Sequence, residues 1–345
     1  MLHSVSESCS SNQPEPIKGE KNFLSNVVPS EEFFGKLTLQ KLSKESSTQL
    51  ERPITMEELV KTIKVSPNGK TPGLDSIPNK FYKFTSELGT EILKTFNSSI
   101  ESHRLPTSMK ELLITVILKK RKDLLEYLSY RPISLLCCEI NKVITSIIHP
   151  DQTGFVKGRT PSDSLRRLLH LIWKAQHLNF PVAALSPDVE KAFDRVSWSY
   201  LYYTLETFGF RHSVLEIIKM IYTDSKATVT TNGSRSTQFL IERGTKQGDP
   251  LSPLLFIIAL KPLDQAIRQN KIIKGITMDD VLLLLSNPEE SLPPLLDLIN
   301  NFSELSRYKI YWSKCPCQSF VIKAIYISGN FRENDLLEEL AYKRD

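Results

Sequence analysis

Three acids in this sequence stand where they could do chemistry. Asp188 closes the stretch AALSP, and Asp279 and Asp280 come immediately before VLLLL (281–285). A carboxylate at the end of a buried strand is expensive unless a cation neutralises it. Carboxylate oxygens suit Mg²⁺, which keeps waters or substrate phosphates in the rest of its shell. Three such acids drawn from two neighbouring strands would hold two ions about 3.5–4 Å apart, one activating a hydroxyl and one stabilising a leaving pyrophosphate. A plain reading fits as well, with Asp279-Asp280 as a turn and Asp188 as a helix cap, and composition alone favours it.

Other residue types offer less. The six histidines (3, 103, 149, 170, 177, 212) show no ligand spacing, and Cys315-Pro-Cys317 lacks histidine partners. The run KKRK (119–122) is as easily a solvated charge cluster as a phosphate site. Arg166-Arg167 and Lys174 could meet the phosphates of a nucleic acid, or lie on a solvated helix face.

The hydrophobic pattern supplies elements to position these residues. Thr55 and Glu58 form a capping box that opens a helix through about Lys64. SPNGKTPGLDSIPNK (66–80) is turn chemistry leading into a helix to about His103. LLITVIL (112–118) and YRPISLL (130–136) read as strands. Ser162 or Asp163 caps a helix whose Leu165, Leu168, Leu169, Ile172 and Trp173 share one apolar face. PVAALSPD (181–188) reads as a strand, and Trp198 to about Ile221 as two helices broken near Gly209. A hairpin turns at Asn232-Gly233. A helix covers about 250–268, VLLLL is a strand, and Leu295–Leu305 is a helix. Helices and short strands without βαβ regularity make the class α+β.

The 345 residues are 40% hydrophobic with a formal net charge of +5, which excludes a wholly disordered chain and leaves nucleic-acid binding only weakly indicated. Five cysteines without CxxC spacing argue against a disulfide framework and for a reducing compartment. The first twenty residues lack the apolar core of a signal peptide, and no apolar run approaches the roughly 18 residues that span a membrane. The expectation is an intracellular protein, nuclear or cytoplasmic, neither secreted nor in a membrane.

YRPISLL (130–136), DQTGFVKGR (151–159), LSPDVEKAFDRVSW (185–198), RGTKQGDPLSPLLF (243–256), MDDVLLLLS (278–286) and RYKIYWSK (307–314) occur in this order. Together with PITMEELVKTIKVSPNGKTPGLDSIP upstream, the series closely resembles the reverse transcriptase domain of non-LTR (LINE-type) retrotransposons over roughly residues 50–320. The resemblance implies a right-hand polymerase, with a loose leader over 1–50, fingers over 51–180, palm over 181–320 and the remnant of an incomplete thumb over 321–345. It implies an RNA template, a DNA primer, deoxynucleoside triphosphates and two Mg²⁺ ions held by Asp188, Asp279 and Asp280. Phe193 matches the aromatic that packs under the incoming sugar and excludes a 2′-hydroxyl. Arg131, with Lys120 and Lys122 behind it, matches the cation that grips the triphosphate. Gln247 and Gly248 match the turn where backbone approaches nucleotide or template, and Lys314 a lysine that protonates pyrophosphate.

The sequence departs from the family pattern at three places. Pro187 stands before Asp188, where an aliphatic residue is usual, so the strand should be distorted there. Only about ten residues separate the long helix from Asp279, and KIIKGITM must finish a turn and supply the incoming strand, so one arm of the hairpin should be missing or improvised, as if a segment were deleted. A similar loss is expected between Leu136 and His149. Arg307 stands where glycine is usual, and Tyr311 where asparagine is usual. Two readings follow: an RNA-directed DNA polymerase domain, or a degenerate, truncated, non-catalytic relic that at most binds nucleic acid.

Overall fold

The computed structural model describes residues 31–53, 55–65, 81, 86–118, 130–134, 144–156, 158–178, 182–185, 188–189, 191–231, 234–246, 249, 251–278, 282–308, 310–311 and 325–326. Among these, eleven helices and eleven strands form an α+β fold. The helices are α1 (Glu31–Gly35), α2 (Lys44–Gln49), α3 (Met56–Val65), α4 (Ser86–Ser102), α5 (Thr107–Lys110), α6 (Pro161–Leu178), α7 (Ala192–Arg195), α8 (Trp198–Thr207), α9 (His212–Tyr222), α10 (Ser252–Gln269) and α11 (Pro288–Ser306). The strands are β1 (Glu111–Leu118), β2 (Tyr130–Ser134), β3 (Val182–Leu185), β4 (Asp188–Val189), β5 (Lys226–Thr231), β6 (Ser234–Arg235), β7 (Phe239–Leu240), β8 (Gly275–Met278), β9 (Leu282–Ser286), β10 (Ile310–Tyr311) and β11 (Ile325–Tyr326).

Local signals fix several boundaries. The capping box at α3 is reciprocal: Glu58 N–H donates to Thr55 Oγ1 at 3.2 Å, and Thr55 N–H to Glu58 Oε2 at 3.1 Å. Gly209, at φ +85°, breaks α8 from α9. The pairs Thr231↔Ser234 and Thr230↔Arg235 leave two residues for the turn at 232–233.

Two sheets and a short ladder organise the chain. One sheet has the order β2-β1-β5-β6, with β7 also on β5, and β1 runs parallel to β5. It joins strands from the expected fingers to strands from the expected palm. The second has the order β11-β3-β9-β8, antiparallel throughout, and β4 pairs separately with β10. The core lies around α10, whose Leu254, Leu255, Ile257, Ile258, Ala259 and Leu263 are all buried. Helices α8 and α11 pack on it, and Tyr200 donates its hydroxyl to the Ala259 carbonyl at 2.8 Å.

Three expectations change. Residues 31–50, read as part of a loose leader, are docked: Phe34 and Leu42 enter the core, and Leu42 N–H donates to Phe208 O at 2.9 Å. Helix α11 begins at Pro288, well before Leu295, with Glu289 and Glu290 in its first turn and Pro293-Pro294 inside it. The apolar face expected for α6 is largely uncovered, with Leu165, Leu169 and Trp173 exposed.

Candidate active site

Register fixes the strand ends on either side of two of the three acids in the second sheet. Strands β8 and β9 pair from Gly275↔Leu285 to Met278↔Leu282, so 279–281 connect two paired residues. Asp279 and Asp280 themselves lie outside the described residues. The incoming arm is therefore improvised rather than missing. GITM supplies four ladder residues, and Ser286 N–H donates to Lys274 O at 2.9 Å beyond them. Gly275 is required there, because a Cβ would stand 2.1 Å from the Leu284 carbonyl oxygen. Strand β3 runs antiparallel to β9 with Leu185 opposite Leu283, so its C-terminal end meets the hairpin's connecting end. Asp188 follows three residues later.

Pro187, where distortion is expected, lies outside the described residues, and the pairing partner differs on its two sides. β3 ends at Leu185, and Asp188-Val189 pair instead with Tyr311 and Ile310 of β10. Tyr311, standing where asparagine is usual, is thus the residue across from Asp188.

Five residues beyond Asp188, Phe193 sits on the single turn α7, entered through Lys191 at φ 46°. Its half-buried ring packs edge-on to Phe155 at 6.3 Å and against Phe256 at 5.2 Å. The loop 243–246 clamps this turn from behind. Thr245 N–H donates to Phe193 O at 2.5 Å and Gly244 N–H to Val196 O at 2.8 Å, while Trp198 Nε1 donates to Gly244 O at 2.8 Å. Gly244 has φ +83°, and a Cβ there would lie 2.7 Å from Phe193 O, so the approach needs glycine. In the same loop Lys246 is buried and donates to Ile221 O at 2.6 Å. Asp249, 1% exposed, accepts from Leu251 N–H at 3.0 Å. Burial drives its carboxyl up to about 6, against that hydrogen bond and the Lys246 charge.

A buried ionic network, absent from the sequence reading, holds the hairpin arm. Lys261, Asp264 and Arg268 share one face of α10, and Lys261 Nζ pairs with Asp264 Oδ2. Arg268 Nε donates to Asp264 Oδ1 at 2.8 Å, and its Nη2 donates to Thr277 O at 3.0 Å and lies 3.3 Å from Asp151 Oδ2. Thr277 Oγ1 donates to Asp264 Oδ1 at 2.6 Å, and Arg167 of α6 pairs with Asp151. Burial raises the Asp264 carboxyl, but the Lys261 and Arg268 charges outweigh it and hold it below the usual carboxylate range. Burial also leads in drawing the Lys261 ammonium below its ordinary value, against the pull of Asp264. The signal was available: three charged residues at i, i+3 and i+7 in the apolar helix LLFIIALKPLDQAIR need each other.

Of the other expected site residues, Arg131 has its backbone in β2, paired with Ile117 of β1. Lys120, Lys122, Gln247, Gly248 and Lys314 lie outside the described residues. Among the described residues no group of three or more His, Cys, Asp or Glu gathers as a metal site, and no helix is long and apolar enough to cross a membrane.

Residues 117–324, more than half of the chain, match the family described as Reverse transcriptase (RNA-dependent DNA polymerase). The chain belongs to the reverse transcriptase family. The Transposon TX1 uncharacterized 149 kDa protein of Xenopus laevis is 29% identical over 296 residues, 79% of this chain and 22% of the relative. The Pol polyprotein of the type-2 retrotransposable element R2DM of Drosophila melanogaster is 27% identical over 71% of this chain and 24% of its own length. The RNA-directed DNA polymerase from mobile element jockey of Drosophila funebris is 25% identical over 78% of this chain and 32% of its own. This reverse transcriptase domain is of the LINE type, and it spans a third or less of these relatives. A solved apo telomerase from Candida tropicalis aligns at TM-score 0.39 and 13% identity over 72% of this chain and 57% of that one, too loosely to bear on the site.

Proposed function

We propose that this domain is an RNA-directed DNA polymerase that extends a DNA primer on an RNA template by adding deoxynucleotides. The observation that carries this reading is the hairpin register, which leaves only 279–281 between Met278 and Leu282, beside the end of β3 that leads to Asp188. Three carboxylates would make an all-oxygen donor set, which fits Mg²⁺. Asp188, Asp279 and Asp280 would hold two such ions, which when bound supply activation of the primer's 3′-hydroxyl and stabilisation of the leaving pyrophosphate. Phe193 stands on a turn pinned through its own carbonyl, suited to rejecting a 2′-hydroxyl on the incoming sugar. Arg131 grips the triphosphate, with Lys120 and Lys122 nearby in sequence. Gln247 and Gly248 continue the loop that buttresses Phe193, and Lys314 donates a proton to pyrophosphate. Residues 51–180 serve as fingers and 181–320 as palm, and the domain works inside the cell, in nucleus or cytoplasm.

The second reading, a non-catalytic relic, is favoured by one observation. Strand β3 ends at Leu185, and Asp188 stands in a separate ladder opposite Tyr311. Primer extension on an RNA template with Mg²⁺ separates the two, comparing the wild type with Asp188→Asn and Asp279→Asn. Extension by the wild type that both changes abolish supports the polymerase. No extension at any enzyme concentration sinks it and leaves the relic.

A further inference from the structure

Helix α6 carries a stripe of large side chains that stay exposed among the described residues. Trp173 is 54% exposed, and Leu165 and Leu169 beside it are 55% and 56% exposed. On a helix of 3.6 residues per turn, Arg166, His170, Trp173 and His177 fall within about 60° of one another, with Lys174 and Leu169 on the flanks. All six are exposed. The indole is held in place from its own helix. His177 lies against it at 4.0 Å between ring centroids, with His177 Nδ1 3.0 Å from the Trp173 carbonyl. His170 lies parallel to it at 6.1 Å and 22°. The stripe is about 16 Å long at 1.5 Å per residue. It is tied to the catalytic hairpin through Arg167, Asp151, Arg268 and Thr277 in succession.

An apolar face left open on a water-soluble helix marks a binding surface. Its chemistry is aromatic rings interleaved with cations, which suits unpaired bases stacking on Trp173 while phosphates meet Arg166 and Lys174. We propose that α6 is a platform for single-stranded RNA, separate from the polymerase centre. It rests on the proposed function only in naming RNA as the strand. The only acid on the helix is Asp163, at its first turn and engaged by Thr160 Oγ1, so the charge balance along the stripe favours an anion.

The test is fluorescence anisotropy with a labelled single-stranded RNA of about twelve nucleotides, with the DNA of the same sequence and a blunt RNA–DNA duplex alongside. The proteins are the wild type, Trp173→Ala, Trp173→Phe and the double variant Arg166→Glu/Lys174→Glu. Trp173→Ala should weaken RNA binding about tenfold, Trp173→Phe should retain most of it, and the double charge reversal should also flatten the salt dependence. Binding of the blunt duplex should change less than about twofold. Equal RNA affinity in all four proteins overturns the proposal, as does an equal loss on the duplex or a preference for the DNA strand. So does sedimentation showing a wild-type dimer that Trp173→Ala converts to a monomer, which would assign the face to a second copy. Because these are binding readouts, a protein that fails to extend primers but shows the Trp173 effect loses the polymerase reading and keeps this one.

Discussion

Arg268 donates from Nη2 to the main-chain carbonyl of Thr277, two residues before Asp279. The β8 arm of the β8–β9 hairpin is thus tied to α10 through a charged group whose own partner, Asp264, also accepts from Thr277 Oγ1. Asp264→Asn removes the counter-charge of Lys261 and one of the two acids that face Arg268, Asp151 being the other, and should lower stability by about 3 kcal/mol in urea unfolding. Thr277→Val should lose about 1 kcal/mol. The Asp264 carboxyl is held below its ordinary range. Its contribution is therefore full above the unfolded value of about 3.9 and is lost as pH falls below that. A variant as stable as the wild type at neutral pH would rule out the clamp.

Gly275→Ala tests the improvised arm directly. The added methyl would meet the Leu284 carbonyl at 2.1 Å, so the β8–β9 ladder must separate. The expected loss is about 2–4 kcal/mol, with faster amide exchange at Leu283 and Leu285 than elsewhere. A shift below about 0.5 kcal/mol would mean the strands do not approach this closely.

Arg307 follows α11 in the left-handed region, at φ 65°, with its N–H donating to Ser303 O at 3.0 Å. That conformation explains why glycine is usual here. Arg307→Gly should stabilise the domain by about 1 kcal/mol despite removing a long side chain, read as a rise in melting temperature. A fall would show that the side chain's contacts outweigh the backbone strain.

Asp249 carries a pH signature of opposite sign to Asp264. Its folded value of about 6 exceeds the unfolded one, so the native state binds the proton more tightly. The penalty for ionising it is full above about pH 6 and relieved as pH falls toward 4. Relative to Asp249→Asn, the wild type should therefore gain about 3 kcal/mol between pH 7 and pH 4. Parallel stability curves for the two proteins would exclude a buried ionising carboxyl at 249.

What was legible in the sequence was whatever neighbouring residues decide among themselves. Thr55 and Glu58, the Gly209 break and the pairing of Thr231 with Ser234 depend on contacts a few residues apart. Motif order gave the family. Residues whose fate depends on distant partners were not legible. Phe34 and Leu42 lie in a segment with no clear helical or strand periodicity, and only the packing against α8 and Phe208 shows why they matter. The spacing of α6 revealed an apolar face but not that it would stay open. The Pro293-Pro294 pair hid the true start of α11, which Pro288 and two glutamates open about two turns earlier. The hairpin arm looked too short because a count of residues does not show that α10 itself holds it.

The parallel pairing of β1 with β5 has a consequence for synthesis. Glu111 pairs with Lys226, so β1 must wait for a strand 115 residues further along the chain. At about 5–20 residues per second, that wait is roughly 6–23 s. β2 can cover one edge of ELLITVIL soon after it emerges, but the other edge stays open, apolar and rich in β-branched residues. During those seconds the nascent chain carries a strand suited to pairing with a neighbouring copy, which makes yield depend on translation speed and on chaperones that shield this edge.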